Sequence, residues 1–106
     1  MKVAYNACYG GFSLSKAAME RLAEIKGVDL SGMEFHYCTF RDGNGGKFEC
    51  PEDRSDKDLI KVIEELGEIA NGTHANLQIA VIPDGADYEI DEYDGFESVE
   101  PPRQIW

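Results

Sequence analysis

The sequence predicts an α+β fold in which two helices pack on a small mixed sheet of about five strands, within a single domain over residues 1–106. Three observations support this prediction: elements in the order βαβαβββ, a strong helical period in mid-chain, and a hairpin signal near the end. A chain of 106 residues with 42% hydrophobic residues is long enough for one packed core.

The first half of the chain predicts a strand, a loop and a helix, followed by a second strand. Lys2 to Cys8 mixes β-branched, aromatic and small residues, which is typical of a short buried strand. Ser15 is a good helix N-cap, and Gly27 marks the end of that helix. Met33 to Phe40 has strand composition, and residues 41–53 predict a long exposed loop.

The second half predicts a helix and then three strands. The apolar residues on one face of this helix are Leu59, Val62, Ile63, Leu66 and Ala70. Their spacing is the strongest periodic signal in the chain, with Ser55 or Asp56 as the N-cap. Leu77 to Ile82 predicts a strand, and Asp87 to Tyr93 and Phe96 to Glu100 predict a hairpin around an Asp-Gly turn.

Charge and cysteine content exclude several classes of function. A net charge of −11 argues against binding nucleic-acid polymers or anionic membranes, because both need clustered Lys and Arg. Cys8, Cys38 and Cys50 form no CxxC pair, so we expect reduced thiols and neither a metal site nor a cofactor. The chain turns polar directly after its first residues, so we expect a cytosolic protein with neither a signal peptide nor a transmembrane segment.

A glycine-bearing loop between the first strand and the first helix is the predicted ligand site. Its candidate ligand-binding residues are Tyr9, Gly10, Gly11, Phe12, Ser13 and Ser15. Amides at a helix start favour anions, and the two aromatic rings are suited to covering a flat base. The spacing matches neither GxxxxGK[ST] nor GxGxxG, so no catalytic residue is predicted. The alternative is a tight strand-to-helix turn that needs glycine.

Three scattered arginines complete the predicted site. Arg41, Arg54 and Arg103 are suited to offsetting phosphate charge, because the guanidinium group offers a planar fork of donors. Pairing with neighbouring acidic side chains is the alternative. A Cys38–His36 nucleophile is disfavoured, because residues i and i+2 of a strand are too far apart for ready contact.

Residues 84–100 form an acidic segment with eight carboxylates and no basic residue. The predicted hairpin register places Glu92 opposite Glu97, and opposed like charges are unfavourable. We therefore expect these two carboxylates to be solvated, to share an arginine, or to face a cation or a partner.

Several short motifs resemble a family of small proteins encoded by phages and prophages. The residues that carry the resemblance are Tyr5-Asn6, Tyr9-Gly10-Gly11-Phe12, Leu14-Ser15, Glu64-Glu65-Leu66-Gly67, Ala70-Asn71-Gly72, Ile82-Pro83-Asp84-Gly85, Glu89 to Gly95, Arg103 and Trp106. The resemblance covers nearly the whole chain and is weakest between Gly32 and Asp53. It indicates an origin, and it implies a role against bacterial defence, since some small phage proteins sequester nucleotide immune signals between subunits.

The leading hypothesis is therefore a non-catalytic protein that captures a small nucleotide-like signalling ligand. The alternative is an acidic protein–protein inhibitor that presents the 84–100 hairpin to a basic surface of a host defence protein. A hydrolase of a nucleotide signal ranks below both, because no acid–base pair can be located. We also expect a homo-oligomer, because an exposed tail ending in Ile105-Trp106 would be unusual in a monomer.

Overall fold

The structure, a computed structural model, describes residues 1–101 and confirms the α+β class. Its elements are β1 (Lys2–Asn6), α1 (Lys16–Lys26), β2 (Glu34–Phe35), β3 (Thr39–Arg41), β4 (Lys47–Glu49), α2 (Lys57–Leu66), β5 (Leu77–Val81), β6 (Glu89–Tyr93) and β7 (Phe96–Glu100). A short 3₁₀ turn, Gly67–Ala70, continues α2. Arg103 and the predicted tail contact of Trp106 lie outside the described residues.

The strands form three small sheets, whereas the sequence predicts a single mixed one. The sheets have the orders β1-β5, β2-β3-β4 and β6-β7, and every strand pair in residues 1–101 is antiparallel. The predicted strand Met33 to Phe40 is interrupted because Tyr37 and Cys38 have φ angles of 39° and 63°, which extended backbone does not allow. The chain therefore turns back, and β2 pairs with β3 instead of continuing into it.

Both helices begin where the sequence predicts. The Ser15 side chain accepts a hydrogen bond from the Ala18 amide at 3.1 Å, and α1 ends before Gly27. Asp56, rather than Ser55, caps α2, and its carboxylate accepts hydrogen bonds from the amides of Asp58 and Leu59. These caps satisfy donors that the first helical turn otherwise leaves unpaired.

One core lies between the helices and the β1-β5 pair. Its largest fully buried apolar side chains are Val3, Leu14, Met19, Leu22, Leu59 and Val62. The helix stripe predicted for α2 is confirmed at the core, since Leu59, Val62 and Ile63 are buried there. The β6-β7 hairpin packs on this unit through β7, which lies against β1. Within residues 1–101, neither helix is long and apolar enough to cross a membrane.

Candidate functional site

The loop from Tyr9 to Ser15 is tied to the segment after α2. The Gly72 amide donates to the Ser13 carbonyl at 3.0 Å, and the Ser15 amide donates to the Ala70 carbonyl at 2.9 Å. The Ser15 hydroxyl donates to the Ile69 carbonyl at 2.6 Å. These bonds use the Ser15 amide, which was expected to face an anion, and they hold the loop in one position.

Two glycines in this region allow parts of the chain to approach closely. A Cβ atom on Gly10 would lie 2.1 Å from the His74 carbonyl oxygen. A Cβ atom on Gly95, at the tip of the hairpin, would lie 2.6 Å from the Gly11 nitrogen. Gly10 and Gly11 therefore contact the protein's own backbone, which agrees with the alternative of a packed turn.

The two aromatic residues of the loop have different surroundings. The side chain of Tyr9 is 66% exposed and packs on Phe96, with ring centroids 5.2 Å apart. Phe96 lies opposite Tyr93, which is 78% exposed, so Tyr93 and Phe96 share one face at the tip of the hairpin. Phe12 instead lies 3.8 Å beneath the guanidinium carbon of Arg54. Tyr9 remains accessible to a flat ligand, whereas one face of Phe12 is covered.

Arg54 forms a buried ion pair with Glu97. The two side chains meet through two bonds, Nη1 to Oε1 at 2.6 Å and Nη2 to Oε2 at 3.0 Å. Glu97 is only 6% exposed, and its Oε1 also accepts the Asn6 amide at 2.9 Å. The predicted register of Glu92 and Glu97 is confirmed, and the arginine expected for one of them is Arg54. This pairing neutralises the charge of Arg54 at its own carboxylate.

The remaining predicted residues lie in separate places. Ser13 and Ser15 line a cavity of about 190 Å³ at the start of α1, together with Lys16 and Tyr37. Arg41 is exposed on β3 and lines a different cavity of about 580 Å³. The structure therefore brings the two serines together and does not place Arg41 in their cavity. Arg103 lies outside the described residues, so its predicted role stays a prediction.

Residues 1–101 also form an open groove that the sequence did not predict. Its volume is about 820 Å³, and we call it the lysine groove. Its lining residues are Met1, Lys2, Ser55, Lys57, Ile60, Lys61, Glu64, Glu65 and Asp84. Lys57 and Lys61 stand four residues apart on α2, so their side chains lie on the same helix face. This i, i+4 spacing was visible in the sequence, but the approach of β1 to α2 was not.

Titratable groups around the groove are mainly paired. Lys2 Nζ lies 2.6 Å from Glu64 Oε2, at the edge where β1 meets α2.

Partial burial acts to raise the pKa of the Asp56 carboxyl, but hydrogen bonds from the Leu59 amide and Lys26 outweigh it and hold that pKa below its usual range. Residues 1–101 contain no cluster of three or more His, Cys, Asp or Glu side chains that would hold a metal ion.

Comparison with protein-family models, curated proteins and solved structures gives no match to this chain. The resemblance to phage-encoded proteins therefore stays a prediction, and the functional argument depends on the geometry alone.

Proposed function

We propose that this is a phage-type, non-catalytic binding protein that captures a small nucleotide-like signalling ligand of bacterial immunity in the host cytoplasm. The observation that supports the proposal is the lysine groove. Its volume of about 820 Å³ lies within the size range of small-molecule sites, roughly 300–1,000 Å³. A nucleotide bearing one or two phosphates is a ligand of suitable size and charge.

Electrostatics favour this groove over the rest of the surface. The chain carries 21 acidic and 10 basic side chains, so most of its surface repels an anion. Three of the ten basic side chains, those of Lys2, Lys57 and Lys61, line this one groove beside the carboxylates of Glu64, Glu65 and Asp84. Lys2 pairs with Glu64, and Asp84 pairs with the amino terminus. Lys57 and Lys61 form no ion pair within residues 1–101, so they are the cations that an anionic ligand would meet. Ile60, which is 7% exposed, adds a small apolar surface to the lining, and a base can contact it.

The same function has a second candidate location at the loop from Tyr9 to Ser15. Tyr9 is exposed and suited to stacking, and the 190 Å³ cavity at the other end of the loop presents the hydroxyl-bearing Ser13 and Ser15 together with Lys16. This cavity is smaller than a nucleotide, and Arg54 is paired internally. The lysine groove is therefore the favoured location.

Calorimetry with a panel of cyclic dinucleotides and ADP-ribose derivatives tests the proposal. We expect at least one member to bind, with affinity reduced tenfold or more by Lys61→Glu. The matched control is Lys47→Glu, which makes the same change of charge at an exposed lysine outside the groove. A loss caused by Tyr9→Ala but not by Lys61→Glu would move the site to the loop, and no binding by any member would contradict the proposal.

Recovery of the ligand separates capture from hydrolysis. The lower-ranked hydrolase hypothesis requires the bound nucleotide to be altered. We expect denaturation of the complex to release the same molecule that was added, as judged by mass spectrometry. Release of a cleaved nucleotide would favour the enzyme.

The hairpin surface supports a second candidate function, inhibition of a basic host protein. Tyr93 and Phe96 pair across its tip, and Tyr9 packs on Phe96. Asp91 is exposed on the same face of the hairpin as this pair, and Glu92 is exposed on the opposite face. Aromatic residues with a charged rim are typical of protein interfaces. Glu97 is buried against Arg54, so only the outer carboxylates are available to a partner.

This second candidate function is tested by immobilising the chain and measuring whether it retains a host protein. Binding that depends on the hairpin should weaken steeply with salt and should be lost in Glu92→Lys, while Lys61→Glu leaves it unchanged. Retention that survives Glu92→Lys would exclude the hairpin as the interface.

Light scattering on the purified protein tests the accompanying proposal of a homo-oligomer, for which we expect at least a dimer.

A further inference from the structure

Cys38 and Cys50 lie just outside β3 and β4, at the same end of this strand pair. The last paired residues of that ladder are Thr39 and Glu49, and the two cysteines adjoin this pair at the same end of the ladder. Cys38, with a φ angle of 63°, belongs to the turn between β2 and β3 and does not extend the ladder. Both side chains are half-buried against the core, and both thiols are free.

The surroundings distinguish the two sulfur atoms. Cys38 Sγ accepts a hydrogen bond from the Leu14 amide at 3.2 Å. The hydrogen bond from Cys50, with this amide, lowers the pKa of the Cys38 thiol to about 7. The same hydrogen bond and burial raise the pKa of the Cys50 thiol. Cys38 is therefore the thiol of the pair that ionises near neutral pH, with about half of it present as thiolate at pH 7, while Cys50 keeps its proton.

Access distinguishes them as well. Cys38 lines the 190 Å³ cavity at the start of α1, together with Ser13, Tyr37 and Thr73. Cys50 does not line that cavity and lies on the other strand. A small oxidant entering the cavity thus meets the Cys38 sulfur first, and the volume is several times that of one water-sized molecule, about 30 Å³.

We propose that Cys38 and Cys50 form a reversible dithiol–disulfide pair, with Cys38 as the peroxide-reactive cysteine and Cys50 as the resolving cysteine. The Cys38 thiolate attacks one oxygen of a hydroperoxide, the O–O bond breaks, and the departing alkoxide or hydroxide takes a proton to leave as an alcohol or water. Sulfur is oxidised to the sulfenic acid, and the peroxide is reduced.

The second step uses the proton that Cys50 retains. The Cys50 sulfur attacks the Cys38 sulfenic sulfur, an S–S bond forms, and the hydroxide leaves as water with the Cys50 proton. A dithiol reductant reverses the change. The sequence predicts reduced thiols for this protein, and Cys38 and Cys50 are both free thiols in the structure.

Peroxide treatment of the reduced, purified full chain tests the proposal without any substitution. After one equivalent of hydrogen peroxide, we expect the intact mass to fall by two hydrogens and peptide mapping to find Cys38 linked to Cys50. Cys8 provides an internal comparison, because it is half-buried elsewhere and should remain unlinked. Oxidation that falls on Cys8 alone, or oxidation without the Cys38–Cys50 link, would overturn the proposal.

Two variants assign the roles. In Cys50→Ser, dimedone should trap a sulfenic acid at Cys38, and in Cys38→Ser no sulfenic acid should be trapped at Cys50. Reduced wild-type Cys38 should react with iodoacetamide at neutral pH about tenfold faster than an unstructured cysteine peptide, because its thiolate fraction is larger. Equal labelling of the two variants would refute the division into reactive and resolving cysteines.

Discussion

Arg54 and the lysine groove present two contrasting uses of positive charge in a strongly acidic protein. Arg54 meets the buried Glu97 through two short bonds and stacks on Phe12, so its charge is used inside the molecule. Lys57 and Lys61 are exposed on one face of α2 and line an open cavity. The contrast shows that a cation is available to an external anion only where no buried carboxylate has already paired with it.

The difference has a structural reason. Glu97 on β7 lies beside Asn6 on β1, and the chain brings Arg54 to the same point just before α2. The ion pair therefore joins the hairpin to the core, and removing either partner leaves an unpaired buried charge. The groove lysines join no elements in this way, apart from the exposed pair of Lys2 with Glu64.

Breaking the internal pair should have the largest effect on stability. We expect Arg54→Met to lower the free energy of unfolding by about 3–5 kcal/mol, because the Glu97 carboxylate would remain buried without its partner. Denaturant titration measures the change. The control is Arg41→Met at the exposed arginine of β3, which should cost less than about 0.5 kcal/mol.

A double variant distinguishes the contribution of the charge pair from that of the packing of Arg54 on Phe12. Arg54→Met with Glu97→Gln removes both charges while an amide oxygen still accepts the Asn6 amide, so we expect it to recover much of the loss. A double variant no more stable than Arg54→Met alone would show that the packing of Arg54 on Phe12, rather than the charge pair, is the main contribution.

Gly10→Ala should have the next largest effect. The added methyl group would overlap the carbonyl and side chain of His74, and we expect a loss of about 1–3 kcal/mol in thermal or chemical unfolding. The control Gly43→Ala places a methyl group in open space and should change little. Equal stability of both variants would mean that the loop can move away from His74 at little cost. The packed-turn interpretation of the loop from Tyr9 to Ser15 would then be weakened.

Asp56→Ala should cost about 1 kcal/mol, because α2 loses the carboxylate that caps it. The pKa of Asp56 is lower in the folded state than in the unfolded chain, so the folded protein binds fewer protons at this site. Its stabilisation is complete above the unfolded value of about 3.9 and is lost as the pH falls through the folded pKa. The difference between wild type and Asp56→Ala, measured from pH 7 downward, should therefore shrink below about pH 4.

Replacing the groove lysines should have the smallest effect on stability. We expect Lys57→Ala and Lys61→Ala each to change the free energy of unfolding by less than about 0.5 kcal/mol, because both side chains are exposed. The lysines would then be dispensable for folding, which fits a role toward a ligand. A loss comparable to that of Arg54→Met would instead place them in the structural framework and remove the contrast on which the proposed function depends.

The local elements of secondary structure could be predicted from the sequence alone. The N-cap at Ser15, the apolar face of α2 and the Glu92–Glu97 register all follow from short-range rules of capping, helical period and turn length. These features need only neighbours in the chain, so they could be predicted residue by residue.

Tertiary structure alone decided the strand pairing and the fate of the predicted site. The break at Tyr37 and Cys38 splits one predicted strand into two, and it brings Cys38 to Leu14 and Cys50. Arg54 could be assigned to Glu97 only once the hairpin packed on β1. Long-range contacts of this kind depend on which surfaces meet, and spacing along the chain does not specify that.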